Sequence, residues 1–145
     1  MFTPSVNRAL EETIAFAERR HAILAGNLAN MDTPGYKTRD LSVPEFQASL
    51  KQLISADKAN VSPSPGDRGF DGSQGASSPH LAREQAVKEV RDASSQVVYH
   101  DGSDDNLETQ IAEIAKNQSM HSTAIALLKS QYRTMQMAIA GNVTA

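Results

Sequence analysis

Apolar or small side chains recur every three or four residues at the start of the chain. Val6, Leu10, Ile14, Ala17, Leu24, Leu28 and Met31 form the stripe, and His21 fills its one gap. This alternation is a heptad seam, the pattern of a helix that lays one narrow face on a neighbour. Glu11, Glu12, Glu18, Arg19 and Arg20 are assigned to the opposite, solvated face. Residues 1–31 therefore predict one amphipathic helix, starting at Ser5 as N-cap and running about 40 Å. The helix must stop near Asp32, because Thr33 precedes Pro34 and is pushed out of the α region. Thr33-Pro34-Gly35-Tyr36 reads as a type II turn, with proline setting φ at its second position and glycine accepting positive φ at its third.

A shorter helix follows within residues 32–56. Ser42 and Glu45 form a capping box, and Phe46, Leu50, Leu53 and Ile54 share a face. Residues 57–103 form a loop-rich middle. Pro63, Pro65, Pro79, Gly66, Gly69, Gly72 and Gly75 crowd the part up to His80 and offer little to bury. His80 to Arg91 fits a weak helix or a strand, and Gln96 to Tyr99 fits a strand running into an Asp101-Gly102 turn.

Residues 104–145 carry the strongest pattern. Leu107, Ile111, Ile114, Gln118, His121, Ile125, Leu128, Tyr132, Met135 and Ile139 alternate four and three without a slip. Asp105 with Glu108 resembles a capping box, Asp104 adds negative charge at the positive helix end, and Gly141 is a suitable stop. The helix would run about 50 Å. The fold class expected is mainly α. Two long terminal helices form an antiparallel coiled-coil hairpin and one domain, with a short second helix and a loop-rich middle that includes a short strand. Further small or apolar residues flank both seams: Ala9, Ala22, Ile23 and Ala25 on the first helix, and Ala112, Ala115, Ala124, Leu127, Met137 and Ala138 on the last. Stripes this wide need more than one neighbour. With no third long helix in the chain, the neighbours are expected to be other subunits or partners.

Composition sharpens this picture. Among 145 residues, 39% are hydrophobic and 5% aromatic, which is thin material for a compact globule of that length. A formal net charge of −3, with no basic residues interleaved around Tyr36, Tyr99 and Tyr132, argues against nucleic acid. There is no cysteine, so disulfides and thiolate metal sites are excluded. The longest apolar run, Ala124 to Leu128, is far short of the ~20 residues a membrane span needs. Met1 to Leu10 has no signal-peptide core, so any exit from the cytoplasm uses another route. Phosphate-binding, nucleophile-elbow and zincin motifs are missing. His21 and His121 fall on the two seams, where a polar residue more often fixes register than binds metal. Asp101, Ser103, Asp104 and Asp105 fit helix capping better than a calcium loop. The residues predict no enzyme, no cofactor and no metal.

The segment from Asn27 to Lys37 carries one further signal. Asn27, Ala29, Asn30, Thr33, Pro34, Gly35, Tyr36 and Lys37 closely resemble the signature shared by flagellar rod and hook proteins. In that family it reads Asn-x-Ala-Asn-x-x-Thr-Pro-Gly-Tyr followed by a basic residue. Arg39-Asp40-Leu41, Phe46, Pro79-His80-Leu81, Asp101-Gly102, Leu107-Glu108 and Ala115-Lys116-Asn117 resemble the family's proximal rod member. Ser103 departs from its usual Asn, and His121 from a frequent Tyr. The resemblance covers both terminal helices and thins out in the middle.

The resemblance implies a structural subunit of the bacterial flagellar basal body, in the rod that crosses the periplasm. It implies export by the flagellar type III apparatus without a cleaved signal peptide. Partners would be other copies of the chain, other rod proteins, the rod adaptor protein and the membrane-ring protein. The assembly seam expected is Leu10, Ile14, Ala17, Leu24 and Leu28 with Leu107, Ile111, Ile114, Ile125, Leu128, Tyr132, Met135 and Ile139. A sibling rod protein, or a helical adaptor or chaperone that does not polymerise, is the competing reading.

Overall fold

A computed structural model of the chain describes residues 4–61, 79–99 and 107–141. Its elements are α1 (Pro4–Asn30), β1 (Arg39–Leu41), α2 (Val43–Val61), α3 (Pro79–Ala93), β2 (Val97–Tyr99) and α4 (Leu107–Ile139). The fold is mainly α, as the pattern predicts, and α1 packs against α4 along an antiparallel hairpin. Helix α1 opens at Pro4, one residue ahead of the expected cap at Ser5. Proline suits a first turn, where its missing N–H has no partner to lose.

The turn after α1 has the expected form. Gly35 has φ of 77°, and Tyr36 N donates to Thr33 O at 3.1 Å. Thr33 N donates to Asn30 O (3.0 Å), satisfying a carbonyl that the helix end leaves open, and Asn30 Nδ2 donates back to Gly26 O (2.7 Å). The chain then enters β1, which pairs antiparallel with β2 in the register Arg39–Tyr99, Asp40–Val98 and Leu41–Val97. Phe46 N donates to Ser42 O (3.0 Å) as α2 begins, with Glu45 in its first turn.

Helix α2 differs from expectation by continuing past Ala56 to Val61, and His80 to Arg91, which fits a weak helix or a strand by its pattern, lies within the helix α3. Ala86, Val90 and Ala93 make a helical stripe too short in its side chains to stand out among the charges around it. Together α2 and α3 supply α1 with neighbours inside the chain. The core joins Phe16 of α1, Leu41 of β1, Phe46 and Leu53 of α2, and Ala86, Val87 and Val90 of α3. The rings of Phe16 and Phe46 stack with centroids 4.0 Å apart and planes 8° apart.

Helix α4 has α1 as its main neighbour among the described elements. Its fully buried residues are Gln110, Asn117 and Ala124, spaced by seven. This is a heptad line beside the one the apolar pattern marks. Ile114, Ile125, Leu128 and Met135 are half-buried, while Leu107, Ile111, Tyr132 and Ile139 are exposed. Small and polar side chains let the two helices approach closely and push the larger apolar groups to the rim. On α1, Ala17 and Leu24 are buried, Leu10 and Ile14 half-buried, and Leu28 exposed. The stop at Gly141 is as expected, with φ of 66° and Ala140 N donating to Gln136 O (2.9 Å). The Asp101-Gly102 turn, the Asp104 and Asp105 cap and most of the Pro/Gly-rich stretch lie outside the described residues.

Candidate functional site

The signature segment is organised around Asn27, which is 1% exposed at the last turns of α1. Its Nδ2 donates to Arg39 O (2.6 Å), and its Oδ1 accepts from Arg39 N (3.1 Å). A side-chain amide here does what a neighbouring strand would do, satisfying both backbone groups of one β1 residue. The Tyr36 hydroxyl donates to the same Oδ1 (3.1 Å). Gly35 reverses the chain, Tyr36 folds back, and Asn27 pins β1 beside the helix. Of the other signature residues, Asn30 holds the helix end and is half-buried, while Ala29, Thr33, Pro34, Gly35 and Lys37 are exposed.

One turn and more before Asn27 lies a second junction. Arg20 was assigned to the solvated face, yet it is 6% exposed, and Glu12 is buried too. Arg20 reaches both carboxylate oxygens of Asp40 (2.8 and 2.5 Å) and Glu113 Oε2 (2.8 Å). It therefore ties α1 to β1 on one side and to α4 on the other. The bidentate fork suits guanidinium and would not suit lysine. The hydrogen bond from Arg20, then its charge, hold the Glu113 carboxyl below its usual value against the opposing effect of burial. The bond to Asp40 leads in raising Arg20 itself. No local signal marks this cluster, since its members lie 20 and 93 positions apart; the only hint is that Arg20 follows Phe16 at helical spacing.

Further along the hairpin, Asn117 Nδ2 donates to Ala17 O (2.8 Å), and Tyr132 OH to Glu11 Oε1 (3.4 Å). Asn117 Oδ1 is buried with no hydrogen-bond partner among the described residues. His21 and His121 line one cavity of about 150 Å3 with Ala17, Glu18, Asn117 and Gln118. His121 Nε2 lies 3.6 Å from Glu18 Oε1. Among the described residues, no three His, Cys, Asp or Glu side chains come together as a metal site. The cavity interrupts the apolar contact for one turn and so distinguishes one register of α4 from its neighbours.

These features define a helical hairpin locked at one end by a hydrogen-bonded turn, with apolar side chains exposed along its last helix. A family model described as flagella basal body rod protein matches residues 10–37, the span from the first seam through the signature turn. The flagellar basal body rod protein FlgB of Proteus mirabilis is 25% identical over 133 residues, covering 86% of each chain. FlgB of Aquifex aeolicus is 64% identical over 28 residues, covering 19% of this chain and 23% of its own, and FlgB of Salmonella typhimurium is 40% identical over 47 residues, covering 32% of each. The resemblance read from the signature holds: it is to the flagellar basal body rod family, and within that family to FlgB.

Replacing Asn27 by Ala leaves the Arg39 N–H and C=O without their partner. The expected loss is about 2–3 kcal/mol of unfolding free energy, measured by urea denaturation, while Thr33→Ala at the exposed turn changes little. Acid should loosen the hairpin at the second junction. The Glu113 carboxylate, held below its ordinary value, contributes fully above that value and loses its contribution as pH falls through the lower, folded one. Thermal melts from about pH 7 down to about pH 2 should therefore show a fall in Tm that Glu113→Gln diminishes.

Proposed function

We propose that this chain is a structural subunit of the bacterial flagellar basal-body rod, of the proximal, FlgB-like kind. It acts by assembling, through α1 and α4, with other copies and with other rod proteins. The rod adaptor protein and the membrane-ring protein are its neighbours at the proximal end, and torque passes through the packed helices towards the hook. Delivery is by the flagellar type III export apparatus, without a cleaved signal peptide, to the rod in the periplasm. The FlgB names of the relatives and the family match around the turn support the rod assignment. No helix among the described residues is long and apolar enough to cross a membrane.

The observation that carries assembly is the apolar surface that α4 leaves exposed. Leu107, Ile111, Leu127, Tyr132, Met137 and Ile139 are all exposed, Ile139 at 80%. Exposed apolar surface of this extent along one helix marks an interaction site. A helix covered on one side draws much of its stability from whatever covers the other.

Sedimentation velocity over a concentration series tests the reading. The expected result is growth of the chain into larger species as concentration rises. Ile111→Ser combined with Ile139→Ser should weaken that association by roughly tenfold or more, since each removes exposed apolar area worth about 1–2 kcal/mol when covered, and should leave monomer helicity unchanged. A chain that stays monomeric at every concentration, alone and mixed with a second rod protein, would favour the non-polymerising adaptor and overturn the proposal.

A further inference from the structure

The sheet of β1 and β2 has two unlike edges. Ser42 N donates to Gln96 O (3.4 Å), so Ser42–Gln96 is a bonded pair. Hydrogen-bonded pairs alternate along an antiparallel ladder, which makes Asp40–Val98 the next one. The backbone N–H and C=O groups of Arg39 and Leu41, and those of Val97 and Tyr99, therefore point away from the partner strand. On the β1 edge these groups are met. Asn27 takes both groups of Arg39, and Leu41 N donates to Asp40 Oδ1 (2.7 Å). On the β2 edge no further strand pairs, and β1 is the main neighbour of β2 among the described residues.

The β2 edge also lacks the usual protection. Val97-Val98-Tyr99 carries no charge and no proline, and Val97 and Val98 are each 43% exposed. An edge of this kind accepts another extended segment through its main chain. The spacing of its outward groups says which segment fits. They lie on residues two apart, so a second copy of β2 running antiparallel sets Val97 opposite Tyr99 of the second copy, and Tyr99 opposite its Val97. Every outward N–H and C=O of both strands then has a partner. Val98 meets Val98 of the second copy at the two-fold axis, in a non-hydrogen-bonded position where side chains come closest. Two exposed β-branched side chains cover each other there.

We propose that the open edge of β2 is an interaction surface for a second copy of this chain, joined strand to strand about Val98 to give one sheet in the order β1-β2-β2-β1. The contact goes beyond the assembly reading above, which uses α1 and α4, and it stands or falls separately. It is isologous, so it closes as a pair and does not itself extend an array. Two strands of three residues cover far less than the roughly 1,200–2,000 Å2 of a stable interface, so the pair is weak and concentration-dependent.

The chain has no cysteine, so one introduced thiol reports the contact cleanly. Val98→Cys places two thiols across the two-fold axis within disulfide range, and Leu81→Cys, at a residue 50% exposed on α3, measures random collision. With oxidised glutathione at high protein concentration, Val98→Cys should form disulfide dimer at least about tenfold faster than Leu81→Cys. Val97→Pro removes an outward N–H and leaves the Asp40–Val98 pair in place. Added to Val98→Cys, it should bring the rate to within about twofold of Leu81→Cys, with helicity by circular dichroism unchanged. If it lowers helicity, Val98→Lys and Val98→Glu take its place. Each should self-associate less than the wild type in sedimentation velocity, and their mixture should associate more than either alone. Val98→Cys that cross-links no faster than Leu81→Cys overturns the proposal. So do slow-exchanging Val97 and Tyr99 amides in verified dilute monomer, because the edge is then covered within one chain.

Discussion

The buried guanidinium of Arg20 sits at the level where α1, β1 and α4 meet, and its charge has to be matched from two directions at once. Asp40 answers from β1 and Glu113 from α4. Because a buried ion left without its partner costs about 3–5 kcal/mol, the two carboxylates hold the sheet and the last helix to one position each along α1. Desolvation offsets much of the attraction, so the cluster contributes more to uniqueness than to net stability. Asn27, two turns on, repeats the arrangement with neutral groups. It fixes β1 at Arg39, and the Gly35 turn exists to bring β1 there.

Helix α1 serves two layers as a result. Phe16 faces α2 and α3, where the apolar core lies, while Ala17 and Leu24 lie on the side towards α4. The two layers are unequal. The first is closed by aromatic stacking and by Leu53 and Val90, whereas the second is a close approach of small and polar groups around Asn117 and a small cavity. Helix α4 is therefore well positioned but thinly covered. The proposed assembly role would use that combination: a packed core on one side of α1, and on the other a long helix with exposed apolar side chains.

The parts of this that sequence could show are the local ones. Thr33-Pro34-Gly35-Tyr36 was legible because proline and glycine fix backbone angles regardless of context. Both long helices were legible because their periodicity runs for many turns. Helix α3 was legible only as one of two alternatives, since Ala86, Val90 and Ala93 become a stripe only once the fold covers them. The inner line of α4 was missed for a related reason. Periodicity finds the most apolar line, Ile111 through Ile139, but burial follows whichever line fits closest to α1, and there Gln110, Asn117 and Ala124 fit. Arg20 read as solvated because both its partners are distant in the chain. Of the signature, the turn could be derived from residue chemistry, while the pairing of Asn27 with Arg39 required the fold.

If α4 is covered on one side only until a neighbour arrives, its backbone must be less protected in the isolated chain than that of the α1–α2–α3 core. Amide hydrogen exchange on verified dilute monomer, and again on assembled protein, measures this directly. The account predicts strong protection around Phe16, Leu53 and Val90 in both states. It predicts weak protection of α4 from about Leu128 onward in the monomer, and strong protection there only after assembly. Uniform strong protection along all of α4 in the monomer would contradict it, because the hairpin would then be complete without a partner.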